Sequence, residues 1–258
     1  MACARSSFAF GDTDVSVALV LLRFEKPNIS NIFGLSLFAC PKSDAVRIMR
    51  VEEKMGLHGS PTCEILFDDA PAELIGQRKL GLTKYILESL NQARFSVAAQ
   101  AIGIAEAAYD AALRYAQQRV QFKQKIIEFA AVSEMLIDIR VAIESSRAMV
   151  LEGATWLDRR NQLAHRMEAE AAEGEVGDDT RNAYRHANKI NSLLSPMVKY
   201  VATDAANRAC YQAQQVFGGM GYMQETGIER LVRDVRITTI YEGTSEVQVA
   251  SSLKHVMA

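Results

Sequence analysis

The chain has 258 residues, of which 49% are hydrophobic and 23% are charged, and its formal net charge is -2. This balance is ordinary for a globular protein with a substantial core, and it excludes a disordered chain. Lysine and arginine form no basic block, so nucleic acid is excluded as a partner. The most apolar early run, Val15 to Leu22, is shorter than the roughly 18 residues that indicate a membrane span.

Cysteine and histidine spacing gives no sign of a metal site. The cysteines lie far apart, include no C-x-x-C pair and indicate no disulfide framework, which fits a reducing compartment. They are Cys3, Cys40, Cys63 and Cys210. The four histidines show no metal-ligand spacing either. The amino terminus lacks a secretory pattern, so we expect a cytoplasmic protein in a bacterium or a mitochondrial-matrix protein in a eukaryote.

The first part of the chain is predicted to form short strands, because apolar segments alternate with prolines and glycines. The predicted strands are Val15 to Phe24, Leu35 to Ala39, Val46 to Val51 and Cys63 to Phe67. After Gly81 no proline occurs until Pro196, and alanine, leucine, isoleucine and glutamate dominate. This composition is typical of helices.

Helical periodicity predicts one helix from about Thr83 to Gln117 and a second from about Glu128 to Leu157, packed antiparallel. The acidic stretch 168–179 contains two glycines and few apolar residues, so we predict a solvated connection that proteases cut first. Helix is predicted again from about Asn182. The pair Ser195-Pro196 is predicted to cap and restart it.

The restarted helix is predicted to run to about Phe217 and to end at two glycines. The G-x-G that follows does not come after a strand, so a dinucleotide fingerprint is excluded there. Ser245 and Gln248 have the spacing of a capping box that would begin the last helix. Glu242 is therefore expected just outside a helix amino terminus.

Three blocks near the carboxy terminus occur in a fixed order: QVFGGMGY from Gln215, ERLVRDVRI from Glu229 and IYEGTSEVQ from Ile240. Together they resemble the signature of the acyl-CoA dehydrogenases. Two upstream segments, EKMGLHGSPTCEILFDD from Glu53 and RVQF from Arg119, resemble the family's central strand domain and its arginine-x-x-phenylalanine motif. The resemblance covers essentially the whole chain.

The resemblance implies an α+β fold, with part of an antiparallel β-domain at residues 1–77 and an acyl-CoA dehydrogenase-type four-helix bundle at residues 78–258. The family's amino-terminal helical domain and the first part of its β-domain have no counterpart in the sequence, and its flavin-binding segment T-E-P-x-A-G-S-D is absent. We therefore expect the isolated chain to bind FAD weakly or not at all.

By resemblance, Glu242 is the base that removes the proton alpha to an acyl-CoA thioester, while the beta hydride passes to FAD. Some family members carry the base on the first long helix, at the position of Ala93, and alanine cannot accept a proton. Arg94, Tyr241 and Gly243 match positions at the substrate, although Arg94 could equally pair with an acid and Tyr241 could merely pack.

Six further residues match family positions that contact FAD. Arg119, Phe122, Gln215 and Gly219 correspond to contacts with the flavin of a neighbouring subunit, and Thr244 and Glu246 to positions near the subunit's own flavin. Thr244 and Gly219 equally suit helix capping and a helix stop. Lys123 stands where the family usually has glycine, and Phe129-Ala130 where a glutamine usually follows, so adenine-side contacts depart from the pattern.

The partners implied are an acyl-CoA substrate, an electron-transfer flavoprotein, and further copies of the chain in a homodimer or homotetramer. An acyl-CoA oxidase, which shares the base, remains an alternative. A non-catalytic oligomerisation or decoy subunit is the alternative from outside enzymology.

Overall fold

The computed structural model describes the backbone of residues 4–10, 17–23 and 34–256, and the side chains of residues 34–253. The chain divides into two compact units, residues 1–90 and 91–258. The ends of the predicted strand Val15 to Phe24 lie outside the described residues.

The first unit contains two antiparallel three-stranded sheets, in the orders β1-β5-β4 and β2-β3-β6. The strands are β1 (Ala4–Phe10), β2 (Val17–Arg23), β3 (Leu35–Pro41), β4 (Val46–Val51), β5 (Thr62–Phe67) and β6 (Glu73–Ile75). The four predicted strands are confirmed, whereas β1 and β6 were not predicted. Both give a weak local signal, since β1 begins with four small or polar residues and β6 has only three residues.

The helical part of the chain begins after a single π-helical turn at Gly81–Ile86. Its α-helices are α1 (Leu87–Gln118), α2 (Ala130–Glu173), α3 (Asp178–Val216), α4 (Ile228–Val235) and α5 (Ser245–Val256). A small hairpin of β7 (Val120–Gln121) and β8 (Gln124–Lys125) joins α1 to α2. The predicted helical bundle is confirmed.

Helices α1 and α2 run antiparallel, as predicted. Phe95, near the start of α1, packs against Gly153 in the later part of α2. Further along α1, the ring of Tyr109 lies 5.6 Å from the guanidinium of Arg140, which comes earlier in α2. The start of α1 therefore lies beside the later part of α2, and later residues of α1 lie beside earlier residues of α2.

Small side chains let the long helices approach closely. The buried core of the second unit is dominated by alanines of α1 and α3, together with larger apolar residues of α2. The alanines of α1 recur at steps of three and four residues: Ala98, Ala101, Ala105, Ala108, Ala112 and Ala116. Close approach of helix backbones is what an alanine stripe of this period allows. No described helix is long and apolar enough to cross a membrane.

The prediction of a solvated connection at 168–179 is wrong, because α2 continues to Glu173 and α3 begins at Asp178. The side chain of Glu170 joins the end of α2 to the beginning of α3. Its carboxylate accepts hydrogen bonds from Arg166 Nε at 2.8 Å, from the backbone N–H of Gly177 at 3.0 Å and from Thr180 Oγ1 at 2.8 Å. These hydrogen bonds, that of Arg166 first, lower the pKa of Glu170.

The predicted restart of a helix at Ser195-Pro196 is also wrong, since α3 passes through both residues without a break. The hydroxyl of Ser195 does not cap a helix but donates to the backbone carbonyl of Asn91 at 2.9 Å, across to α1. Proline inside a helix costs about 3 kcal/mol. Burial of this part of α3 in the bundle offsets that cost, so tertiary packing overrides local propensity.

Candidate active site

Glu242 lies at a corner between a 3₁₀ turn, Arg236–Thr239, and the beginning of α5. Two successive residues of the corner have positive φ, 55° at Glu242 and 92° at Gly243. Glycine adopts this conformation readily, whereas it costs a residue with a side chain roughly 1–2 kcal/mol. The surrounding structure must therefore hold Glu242 in this conformation.

Two completely buried side chains hold the corner by its backbone. Gln248 Nε2 donates to the carbonyl oxygens of Glu242 and Gly243, at 3.0 and 2.9 Å. Lys199 Nζ, from α3, donates to the Gly243 carbonyl at 2.7 Å. A Cβ on Gly243 would lie 2.5 Å from Gln248 Nε2, so a side chain here would displace Gln248 from the corner carbonyls.

The predicted capping box of α5 is wrong in its details. The hydroxyl of Ser245 has no hydrogen-bond partner among the described residues. Thr244 is the cap instead: its carbonyl accepts the N–H of Gln248 at 3.0 Å, and its Oγ1 accepts the N–H of Val247 at 3.5 Å. Because Gln248 is turned to the corner carbonyls, it does not reach back to the cap. Glu242 nevertheless lies just before a helix amino terminus, as predicted.

Charged groups from three elements surround the Glu242 carboxylate. Burial lowers the pKa of the Arg94 guanidinium on α1, and the Glu242 carboxylate opposes this shift. Burial and, to a smaller extent, the Arg94 charge lower the pKa of Lys199 to about 8, against the raising effect of Glu242 and Glu246. A hydrogen bond from its own backbone N–H, followed by one from the Thr244 hydroxyl, lowers the pKa of Glu246. Two cations thus face two carboxylates in a partly buried space.

Tyr241 and Arg94 complete the same region. The Tyr241 hydroxyl donates to Gln100 Oε1 on α1, and burial, with a smaller contribution from the Glu242 charge, raises the pKa of the phenol. Arg94 donates to Asn91 Oδ1 at 2.8 Å. The structure therefore brings together four residues that the sequence assigned to base and substrate, namely Arg94, Tyr241, Glu242 and Gly243.

Several buried polar atoms of this region have no hydrogen-bond partner among the residues that the structure describes. They are Arg94 Nε, Glu242 Oε2, Ser245 Oγ and Gln248 Oε1. Buried polar groups in folded proteins are nearly always paired. A cluster of unpaired donors and acceptors around one carboxylate therefore indicates a place built to receive a polar ligand or solvent.

The other predicted cofactor residues lie near the carboxy-terminal ends of α1 and α3. The rings of Tyr115 and Phe217 stack with their centroids 4.3 Å apart, which brings the end of α1 to the end of α3. Arg119 and Phe122 follow the first of these residues along the chain, and Gln215 and Gly219 flank the second. The structure therefore brings these four predicted residues to one end of the bundle.

This far end is open to solvent. Phe122 is 88% exposed, and an added Cβ at Gly219 would meet nothing within 4 Å. Phe122 and Lys123 form the two-residue turn between β7 and β8, with φ of 50° and 67°. Glycine is the favoured residue at such positions, so Lys123 holds the turn at a conformational cost. An exposed ring next to an exposed guanidinium suits an extended aromatic phosphate ligand approaching from outside.

The two regions are far apart along the helices. Residue 94 and residue 115 of α1 are separated by about 30 Å at 1.5 Å per residue. Residue 199 and residue 215 of α3 are separated by about 24 Å on the same basis. The corner and the far end are thus separate regions of the bundle. Thr244 and Glu246 lie with the corner.

Lys199 and Gln248 were not predicted as site residues. A signal for Lys199 exists in the sequence, because it lies four residues after Ser195 and three before Ala202 on the buried face of α3. A lysine on the apolar face of a helix is unusual and calls for a partner. That partner, the carbonyl of Gly243, lies 44 residues away and has no sequence signature.

Comparison with known proteins gives consistent results. Residues 83–190 and 175–257 match the profile of the acyl-CoA dehydrogenase C-terminal domain. A probable acyl-CoA dehydrogenase of Bacillus subtilis is 40% identical over 199 residues, which is 76% of this chain and 45% of that protein. A caffeyl-CoA reductase-Etf complex subunit of Acetobacterium woodii is 33% identical over 219 residues, 83% of this chain and 50% of that protein.

Solved structures agree with the sequence matches. The butyryl-CoA dehydrogenase of Megasphaera elsdenii superposes with a TM-score of 0.80 at 29% identity, covering 99% of this chain and 60% of that one. The chain spans about half the length of the curated relatives that it matches. By its fold, its three ordered motifs and the profile match over residues 83–257, the chain belongs to the acyl-CoA dehydrogenase family.

Proposed function

We propose that the chain is part of an FAD-dependent acyl-CoA dehydrogenase in which Glu242 is the catalytic base. The observation that carries the proposal is the corner itself. A carboxylate is held in a costly backbone conformation near the buried Lys199 and the half-buried Arg94, and its Oε2 has no partner among the described residues. Strain and unpaired polar atoms at one position are typical of functional sites.

The reaction that suits this arrangement is the removal of two hydrogens from adjacent carbons of an acyl-CoA thioester. Glu242 accepts the α-proton, and the electrons of the broken C–H bond form the α,β double bond as the β-hydride departs. FAD, when bound, supplies the hydride acceptor. The Arg94 charge offsets the negative charge of Glu242 before the proton is taken. Tyr241 and Gly243 border the acyl group.

The flavin would be held by residues of two copies of the chain. Thr244 and Glu246, beside the corner, would contact the flavin on which that copy acts. Arg119, Phe122, Gln215 and Gly219 at the far end would contact the flavin of a second copy in a homodimer or homotetramer. The exposure of the far end and its distance of about 24–30 Å from the corner support this division.

An electron-transfer flavoprotein is the proposed electron acceptor. The supporting observation is that one relative is named as a subunit of a complex with Etf, at 33% identity. Slow reoxidation of the reduced flavin in air is then expected, measured by stopped-flow absorbance. Rapid reoxidation by oxygen would favour an acyl-CoA oxidase instead.

The first experiment uses the chain joined behind the amino-terminal half of a curated relative. Glu242→Gln keeps the size and polarity of the side chain but removes its basicity, so kcat should fall by roughly 10²- to 10⁴-fold with little change in acyl-CoA affinity. Glu225→Gln, on an exposed turn outside the corner, is the matched control. Turnover of the Glu242→Gln protein at the control's rate would refute the assignment.

A rescue variant strengthens this experiment. Ala93 precedes Arg94 on α1, at the position where other family members carry their base. Ala93→Glu added to Glu242→Gln should restore part of the lost flavin reduction. A chimera that retains FAD and acyl-CoA but is inactive even with Glu242 intact would favour the non-catalytic alternative.

A further inference from the structure

Lys199 is a buried lysine that the proposed reaction does not use. Its side chain is 0% exposed, and it belongs to the long helix α3. Lysine is almost never fully buried unless its charge is paired or hydrogen-bonded. The described contact of its ammonium is the 2.7 Å hydrogen bond to the carbonyl oxygen of Gly243. The buried ammonium of Lys199 therefore forms its hydrogen bond with a single backbone carbonyl of the corner.

The two side chains that hold the corner differ in where they come from. Gln248 belongs to α5, the short helix that begins at the corner, so its bonds to Glu242 and Gly243 are local. Lys199 belongs to α3, which packs extensively against α2 in the bundle core. The bond from Lys199 thus joins the corner to a long helix of the bundle, whereas the bonds from Gln248 come from the helix that begins at the corner.

We infer that Lys199 is a positioning residue: its ammonium fixes the Gly243 carbonyl and so holds the left-handed corner that presents the Glu242 carboxylate. The inference rests on the proposed function, since a base must exist for its position to matter. It assigns Lys199 no contact with substrate or cofactor.

The electrostatic surroundings fit this role. The charged groups that face Lys199 are Arg94 from α1, Glu242 at the corner and Glu246 on the first turn of α5. Burial and Arg94 lower the pKa of Lys199 to about 8, against the raising effect of the two carboxylates. The ammonium form, with its strong charge-assisted hydrogen bond, therefore predominates at neutral pH.

The first test is a nuclear magnetic resonance titration of the 258-residue chain, labelled at lysine Cε and at the glycine carbonyls. Lys199 should titrate near pH 8, and the Gly243 carbonyl should shift with the same midpoint. Glu242→Gln should move both midpoints to lower pH, because a charge that favours the ammonium is gone. A Gly243 carbonyl that does not follow the titration of Lys199 would overturn the inference.

The second test is hydrogen exchange at neutral pH on Lys199→Met, which keeps the length of the side chain but removes the donor. Exchange in peptides covering residues 240–250 should accelerate about tenfold, the effect of losing one hydrogen bond to a charged donor. Peptides from the middle of α1 should be unchanged. Lys189→Met, at an exposed position on the same helix, is the matched control and should leave both regions unchanged.

The outcomes separate this inference from the proposed function. Equal exchange in Lys199→Met and Lys189→Met would overturn the positioning role, whatever the activity of the chimera. If Lys199→Met does not fold, the wild-type and Glu242→Gln titrations still decide. Activity that survives Glu242→Gln in the chimera would instead remove the base, while a shared Lys199 and Gly243 midpoint would still report an intact corner.

Discussion

Two regions of the helical unit, the corner at Glu242 and the far end at Phe122, are held in different ways. At the corner, buried charges and strained backbone surround Glu242, and the chain itself supplies Lys199 and Gln248 to hold them. At the far end, Phe122 and the Gly218-Gly219 pair are exposed to solvent. A Cβ added at either glycine would meet no atom within 4 Å. The chain's own side chains therefore hold the corner, whereas the far end presents exposed side chains to solvent.

The comparison is tested most strongly by removing a charge from the far end. In the chimera, Arg119→Ala should weaken FAD retention by roughly ten- to hundredfold, because a charge-assisted hydrogen bond to a phosphate is lost. The free energy of unfolding of the apoprotein should stay within about 0.5 kcal/mol, as for other exposed substitutions. Arg114→Ala, exposed on the same helix, is the control. FAD affinity equal in both variants would contradict the proposed site.

Alanine substitutions at one glycine of the corner and one of the far end should differ in their effect on stability. Gly243→Ala should destabilise the chain by about 1–3 kcal/mol, because its φ of 92° is unfavourable for alanine and its Cβ would clash with Gln248. Gly219→Ala should change stability by less than about 0.5 kcal/mol, since open space surrounds that position. Urea unfolding of both variants measures this. An equal decrease in the free energy of unfolding in both variants would contradict the difference in packing between the corner and the far end.

A smaller effect is expected from pH. Because the pKa of Lys199 is about 8 in the folded chain and 10.5 ordinarily, the unfolded chain binds more protons between these values. Stability from this group therefore rises with pH from about 8 to 10.5, as the buried charge is relieved. The unfolding free energy of wild type minus that of Lys199→Met should increase across this window. A flat difference would contradict the buried charge, and Lys189→Met should parallel wild type.

Local pattern was sufficient for much of the fold and for part of the site. The strands β2 to β5, the long helices and the place of Glu242 before a helix all follow from periodicity, punctuation and motif. Sequence patterns gave the wrong structure where contacts between residues distant in the sequence determine the local conformation. Ser195 bonds to Asn91 over 104 residues, and this packing keeps α3 continuous through Pro196. A helix-breaking propensity cannot reveal such a contact.

At the corner, too, local sequence patterns did not reveal the contacts between side chains. The motif around Glu242 identified the carboxylate and its neighbours in sequence, but the roles of Lys199 and Gln248 depend on where their side chains are directed. Gln248 has the spacing of a capping residue and instead binds the corner carbonyls. The acidic stretch around Glu170 was predicted to be a loop, but the Glu170 carboxylate accepts hydrogen bonds from Arg166 and from the buried Thr180, contacts that the local sequence pattern does not reveal.

Removal of the α-proton by Glu242 can be measured by proton exchange. The chimera is incubated in heavy water with an acyl-CoA analogue whose α-proton is acidic but whose β-carbon cannot be oxidised, and loss of the α-proton signal is followed by nuclear magnetic resonance. We predict exchange with Glu242 and with the Glu225→Gln control, and a rate at least about 100-fold lower with Glu242→Gln. Exchange at an undiminished rate in Glu242→Gln would contradict the account.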